Sequence, residues 1–140
     1  MRDLLQTSMK EVFEQHLGIE LQQCRSRPKQ EGYKARIRFS DEKDGDSVAT
    51  IWLQRHTLKK VSEILLFETD PDEDTLKDLT SELANFIVGH AKMLASDKNM
   101  KCKIETPEFV GIGTLAKGSI THLYKMENRC IALQIKGENG

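Results

Sequence analysis

Residues 71 to 96 read as one long amphipathic helix, and a helix of that length must find a surface on which to bury its apolar side. Asp70-Pro71-Asp72-Glu73 marks its start. The run reads as an N-cap, a proline at the first helical position and a glutamate at the third, with acidic charge at the positive end of the helix dipole. At about 100° per residue, Leu79, Leu83, Phe86, Ile87, His90 and Leu94 fall on one side, while Asp78, Glu82, Asn85, Gly89, Lys92 and Ser96 line the other. Any surface helix shows a polar stripe opposite an apolar one. This stripe also breaks local rules. Asparagine competes for backbone hydrogen bonds in mid-helix, and a mid-helix glycine costs roughly 1 kcal/mol against alanine. Asn85 and Gly89 share the polar face, and such violations tend to lie at binding sites.

The rest of the chain supplies surfaces for that helix. Residues 2 to 17 read as an amphipathic helix through Leu5, Met9, Val12, Phe13, His16 and Leu17, with Gly18 as its C-terminal cap. Ile19 to Cys24 reads as a weak strand. Tyr33, Ala35, Ile37 and Phe39 alternate with Lys34, Arg36 and Arg38, which makes a half-buried strand with a basic outer face of solvated charges. Asp44-Gly45 signals a turn, Ser47 to Gln54 a third strand, and Thr57 to Phe67 a short helix with Leu58, Val61, Ile64 and Leu65 inward. Lys101 to Glu105 reads as a strand stopped by Thr106-Pro107, residues 108 to 118 as a loop whose glycines serve turns or a bulge, and Ile120 to Met126 with Cys130 to Ile135 as a hairpin turning at Glu127-Asn128-Arg129. Gly137 to Gly140 read as frayed. Strands and helices do not alternate regularly, so the expected class is α+β: one domain over residues 1–140, an antiparallel sheet covered on one side by helices.

Composition narrows the function classes. A net charge of −1 favours neither nucleic acid nor an anionic membrane. The N-terminus carries charges among its apolar residues and no apolar run approaches a membrane span, so a cytoplasmic protein is expected. Cys24, Cys102 and Cys130 are odd in number and lack ligand spacing, which fits buried or free thiols in a reducing compartment. The acidic run Glu68 to Asp74 lacks the glycine and spacing of a calcium loop, and Gly111, Gly113 and Gly118 match no phosphate-binding pattern. His16, His56, His90 and His122 are scattered, and His16 and His90 fall on apolar helix faces, where core histidines are expected. An enzyme built on this inventory uses few groups.

Asp78, three residues, Glu82, two residues, Asn85 and then twenty-one residues to Pro107 resemble the D/S-x3-E-x2-N-x22-P signature of the CheC/CheX/FliY phosphatases of bacterial chemotaxis, with one spacer a residue shorter. The opening helix ending at Gly18, the apolar Phe86-Ile87-Val88-Gly89 and the strands after Pro107 extend the likeness over nearly the whole chain. A single copy of the motif resembles CheX rather than CheC, which carries two. The resemblance implies a CheC-like fold and hydrolysis of the aspartyl phosphate on a CheY-type receiver, with Asn85 positioning the attacking water and Glu82 pairing with the receiver's lysine. It further implies that Mg2+ comes from the receiver and none is held by this chain, and that the protein is a homodimer through its sheet region. Asp78 is read as a helper or a local hydrogen-bonding residue, Gly89 as permitting close approach of a partner or a facing element, and Pro107 as shaping the chain beside the helix. The alternative is a non-catalytic module of the same fold that binds receivers or flagellar switch components.

Overall fold

Alternation of Tyr33, Ala35, Ile37 and Phe39 with Lys34, Arg36 and Arg38 meets the two-residue period of a pleated strand, which sends the first set to one face and the second to the other. The computed structural model describes residues 1–43, 45–117, 120–126 and 129–137. Its elements run α1 (Arg2–Glu11), a π-helical turn (Val12–His16), β1 (Gln22–Gln23), β2 (Gly32–Asp41), β3 (Gly45–Leu53), α2 (Arg55–Leu66), α3 (Glu73–Asp97), β4 (Cys102–Ile104), β5 (Glu108–Gly113), β6 (Ile120–Met126) and β7 (Arg129–Gly137). The strands form one sheet in the order β1-β6-β7-β3-β2-β4, with β5 paired to the first half of β2 and β4 to its end. Every pairing is antiparallel.

Register puts like with like. Ala35 lies opposite Ile51 and Ile51 opposite Leu133; Ile37 lies opposite Ala49 and Ala49 opposite Ile135. These rows are fully or almost fully buried, and together with the apolar residues of α1, α2 and α3 they make the main core. The fold is thus α+β with the helices on one side of an antiparallel sheet, as expected. On the other face Trp52, Leu115 and Ala132 form a second, small cluster with Leu123 and Cys130. The Trp52 indole Nε1–H donates to the Gly113 carbonyl at 2.9 Å, and a Cβ added to Gly32 would meet the indole at 2.3 Å. Glycine is therefore required there by the approach of the ring.

Several expectations are corrected. Glu108 to Gly113 is a strand rather than a loop: Phe109 pairs with Ala35 and packs on the core, and Gly111, at φ +123°, occupies the bulge where the register against β2 shifts. Two glycines hid that alternation. The strand expected over Ile19 to Cys24 shrinks to Gln22–Gln23, with Ile19 and Leu21 buried in the core ahead of it. Gly137 is paired with Ser47 and not frayed. The first helix changes to π-type hydrogen bonding at Val12, with Leu17 N–H reaching the Val12 carbonyl at 3.1 Å, before Gly18 ends it at φ +68°. The three cysteines are free thiols, each partly exposed. Cys24 and Cys130 place their sulfurs 3.7 Å apart, and burial followed by the neighbouring thiol pushes the Cys130 thiol up to about 11. Expectations for Asp44, Gly118, Glu127, Asn128 and residues 138–140 lie outside the described residues. Among the described residues no helix is long and apolar enough to cross a membrane.

Gly32→Ala forces the Trp52 ring or the β2 backbone to move, and overpacking of this kind costs about 1–3 kcal/mol. Urea unfolding should show a lower midpoint for the variant with an unchanged slope; an unchanged midpoint would mean that the ring yields freely.

Candidate functional site

The site is built on α3, which is anchored to the rest of the chain at three points. At its start the N-cap is Asp72, whose carboxylate accepts from the Thr75 backbone N–H at 2.8 Å. Asp70, the expected cap, is exposed and lies two residues outside, while Pro71 is buried directly before the cap, as is Leu76 in the first turn. An apolar pair flanking the cap in this way fixes the entry of the chain and favours the later aspartate. Glu73 binds the Tyr33 hydroxyl at 2.7 Å and the Arg55 guanidinium, tying α3 to β2 and to the start of α2. In the middle, the Ser8 hydroxyl of α1 donates to the Ile87 carbonyl. Further on, His90 meets Glu11 and stacks edge-on against His16 at 5.7 Å. His90 is thus a partly buried, paired histidine, whereas His16, expected in the core, is exposed because the π-type turn rotates it outward.

With these anchors the buried arc of α3 comprises Leu76, Leu79, Thr80, Leu83, Ala84, Ile87, Val88, Ala91 and Ala95. It is turned from the expected arc toward the small residues, which hydropathy weights lightly. Phe86 consequently lies outside it and is 50% exposed rather than inward-facing. Asp78, Glu82, Asn85 and Gly89 all stand on the exposed side, as expected. Their i,i+3 and i,i+4 spacings place neighbours about 5–6 Å apart at Cβ along one stripe. Among the described residues Asp78, Glu82 and Asn85 have no side-chain hydrogen bond or ion pair, and a Cβ on Gly89 would meet nothing within 4 Å. The glycine is not required by this chain's own packing.

The stripe borders a groove of about 640 Å³ where Asn85, Phe86, Gly89 and Met93 of α3 face Leu17 from the end of the first helix and Leu65 from α2. Sequence reading missed this groove, since it is assembled from three separate segments. Among the described residues no group of three or more His, Cys, Asp or Glu side chains is disposed to hold a metal ion. Pro107, half-buried, joins β4 to β5.

The family model "Chemotaxis phosphatase CheX" matches residues 33–124, from β2 through all of α3 to β6. The chain belongs to the CheX family. Its fold is shared with the crystal structure of the chemotaxis protein CheX from Vibrio vulnificus, at a TM-score of 0.78, 15% identity and coverage of 95% of this chain and 93% of that one. A CheX from Desulfovibrio desulfuricans superposes at a TM-score of 0.72 with 16% identity, covering 96% of each chain. The Borrelia burgdorferi complex of CheX with CheY, BeF3 and Mg2+ gives a TM-score of 0.67 with 17% identity over 96% of this chain and 95% of that one. No curated protein matches the sequence. Within the CheX fold of this chain, the motif residues that the sequence singles out share one exposed stripe of one helix.

Two outcomes follow from this seat of α3. The Thr75 backbone and hydroxyl hold the Asp72 carboxyl below its ordinary range, so the cap's contribution to stability is present above the unfolded carboxylate range and lost as pH falls through the lower folded value. Asp72→Asn keeps a capping acceptor without that titration, and thermal unfolding followed from about pH 6 to about pH 3 should fall less steeply for the variant. Gly89→Ala, in open space on a helix, should raise the denaturant midpoint by an amount equivalent to about 1 kcal/mol. A loss of stability would show a contact that the geometry does not contain.

Proposed function

We propose that the protein hydrolyses the aspartyl phosphate of a phosphorylated CheY-type receiver, with Asn85 orienting the attacking water and Glu82 fixing the register of docking. The observation that carries this reading is the exposed Glu82–Asn85 pair, unengaged among the described residues, on a helix whose other side is anchored throughout. CheX family membership and the solved Borrelia CheX–CheY complex support the receiver as partner.

The chemistry suits a site with so few groups. Water oxygen attacks phosphorus in line, the bond from phosphorus to the receiver's carboxylate oxygen breaks with its electron pair returning to that carboxylate, and the water proton leaves with inorganic phosphate. A receiver-bound Mg2+ would supply charge neutralisation at the phosphoryl oxygens. What remains is positioning. The Asn85 amide oxygen can accept from the water while its N–H group donates to a phosphoryl oxygen or the water itself, and a neutral amide does this without adding charge to an already anionic centre. Glu82, one turn away on the same stripe, would meet the receiver's lysine, and Asp78 would assist docking. The missing Cβ at Gly89 lets the receiver backbone approach α3. The same reading includes a homodimer formed through the sheet region.

Decay of a phosphorylated CheY-type receiver in Mg2+ should accelerate with this protein, and Asn85→Ala should lose roughly 10²-fold of that acceleration, on the order of 3 kcal/mol for one positioning group. The unfolding midpoint of the variant should stay within about 0.5 kcal/mol of the parent, as for other exposed positions. Unchanged decay with several receivers would overturn the enzymatic reading, and retained binding would then identify a docking module.

A further inference from the structure

We infer that Phe67, at the tip of α2, is an anchor for the phosphorylated receiver, so that the docking face extends from the Glu82–Asn85 stripe across the apolar groove to that tip. The inference rests on the receiver-phosphatase reading above and adds to it a binding residue outside the motif.

Phe67 is 91% exposed and holds φ +56°, ψ +32°, in the left-handed region that glycine adopts freely and a bulky L residue does not. Its backbone is held firmly. Its own N–H and that of Glu68 reach the Ser62 carbonyl, and the buried Ser62 hydroxyl donates to the Glu68 carbonyl at 3.0 Å. A fully exposed aromatic in a disfavoured but well-tied conformation contributes nothing to the core, and strain of this kind collects at binding sites. Helix caps of this geometry usually carry glycine, which would be the more stable choice here.

The position of the tip says what would cover it. Leu65, two residues earlier, lines the same groove as Asn85 and Gly89, and Phe86 and Met93, each about half exposed, continue the apolar surface along α3. A partner seated on this surface must also lie against Asn85, so the occupant is the molecule whose phosphate Asn85 addresses rather than a second copy, which would cover the stripe. A rigid ring next to a polar reacting centre fits the pattern of an interface anchor, where aromatic side chains contribute most at low entropic cost. Phe67 stands apart from the reacting atoms. Its contribution is therefore made equally to the bound ground state and the transition state, and its loss should appear in binding and not in turnover.

The experiment uses a CheY-type receiver whose phosphate decay the wild-type protein accelerates, charged with beryllofluoride and Mg2+ as a stable phosphoryl mimic. Phe67→Gly should raise Tm by about 3 °C, since glycine relieves the cap, while Kd for the charged receiver rises about tenfold or more. Decay of the phosphorylated receiver at saturating phosphatase should stay within about twofold of wild type, as expected for uniform binding. Phe67→Asn, which also tolerates this backbone, should give the same split. An unchanged Kd in either folded variant overturns the inference; so does a fall in the saturated rate at constant Kd, and so does failure of both variants to fold. If no receiver's decay is accelerated by the wild-type protein, the phosphatase reading fails first, an outcome distinct from an active enzyme indifferent to Phe67.

Discussion

Everything at the site depends on how α3 is seated on the sheet. Leu76, Leu83 and Ile87 are fully buried in the core, where α3 lies against β2, β4 and β5, and each such side chain is worth about 1.5–3 kcal/mol of burial. Against that, the local costs on the outer stripe are small: about 1 kcal/mol for a mid-helix glycine, and a few tenths for the like-charged Asp78–Glu82 pair four residues apart. The inner arc wins easily. It leaves the outer stripe free to carry residues chosen for something other than folding, and the Glu73, Ser8 and His90 contacts keep the helix from rotating to hide them.

A helix held this firmly gives the motif what a positioning mechanism needs. Orientation of a water is effective only when the orienting group is itself fixed, and an amide on the middle of a packed helix moves less than one on a loop. The scarcity of catalytic groups then ceases to be a puzzle. The CheX fold here contributes a stiff, shaped surface, and the proposed chemistry asks of it one amide, one carboxylate and room for the partner's backbone.

Much of this was legible in the residues, and what was not has physical reasons. The alternation in β2, the cap at Gly18, the exposure of Asp78, Glu82, Asn85 and Gly89, and the α+β class all follow from two-residue and 3.6-residue periods. Phe86 was misplaced because a hydrophobic period assigns every large apolar residue inward, whereas Thr80, Ala84, Ala91 and Ala95 occupy the seat. The cap was placed at Asp70 rather than Asp72 because both aspartates precede a plausible helix, and burial of Pro71 and the bond from Thr75 N–H to Asp72, which separate them, exist only in the folded chain. β5 was hidden by its glycines, of which Gly111 sits at the bulge with φ +123°. The Tyr33–Arg55–Glu73 cluster, the His16–His90 contact and the groove join segments far apart in the chain, and no local pattern marks them. Phe67 simply read as the last apolar residue of a helix; its left-handed backbone is invisible in composition.

The burial of Trp52 has a practical side. It is the single tryptophan of the chain, and it sits fully enclosed on the sheet face that the helices do not cover, with its N–H satisfied by Gly113. The whole sheet separates the indole from α3. Its emission is therefore a spectroscopic reporter of the integrity of the sheet, read from the face opposite the Asp78–Gly89 stripe.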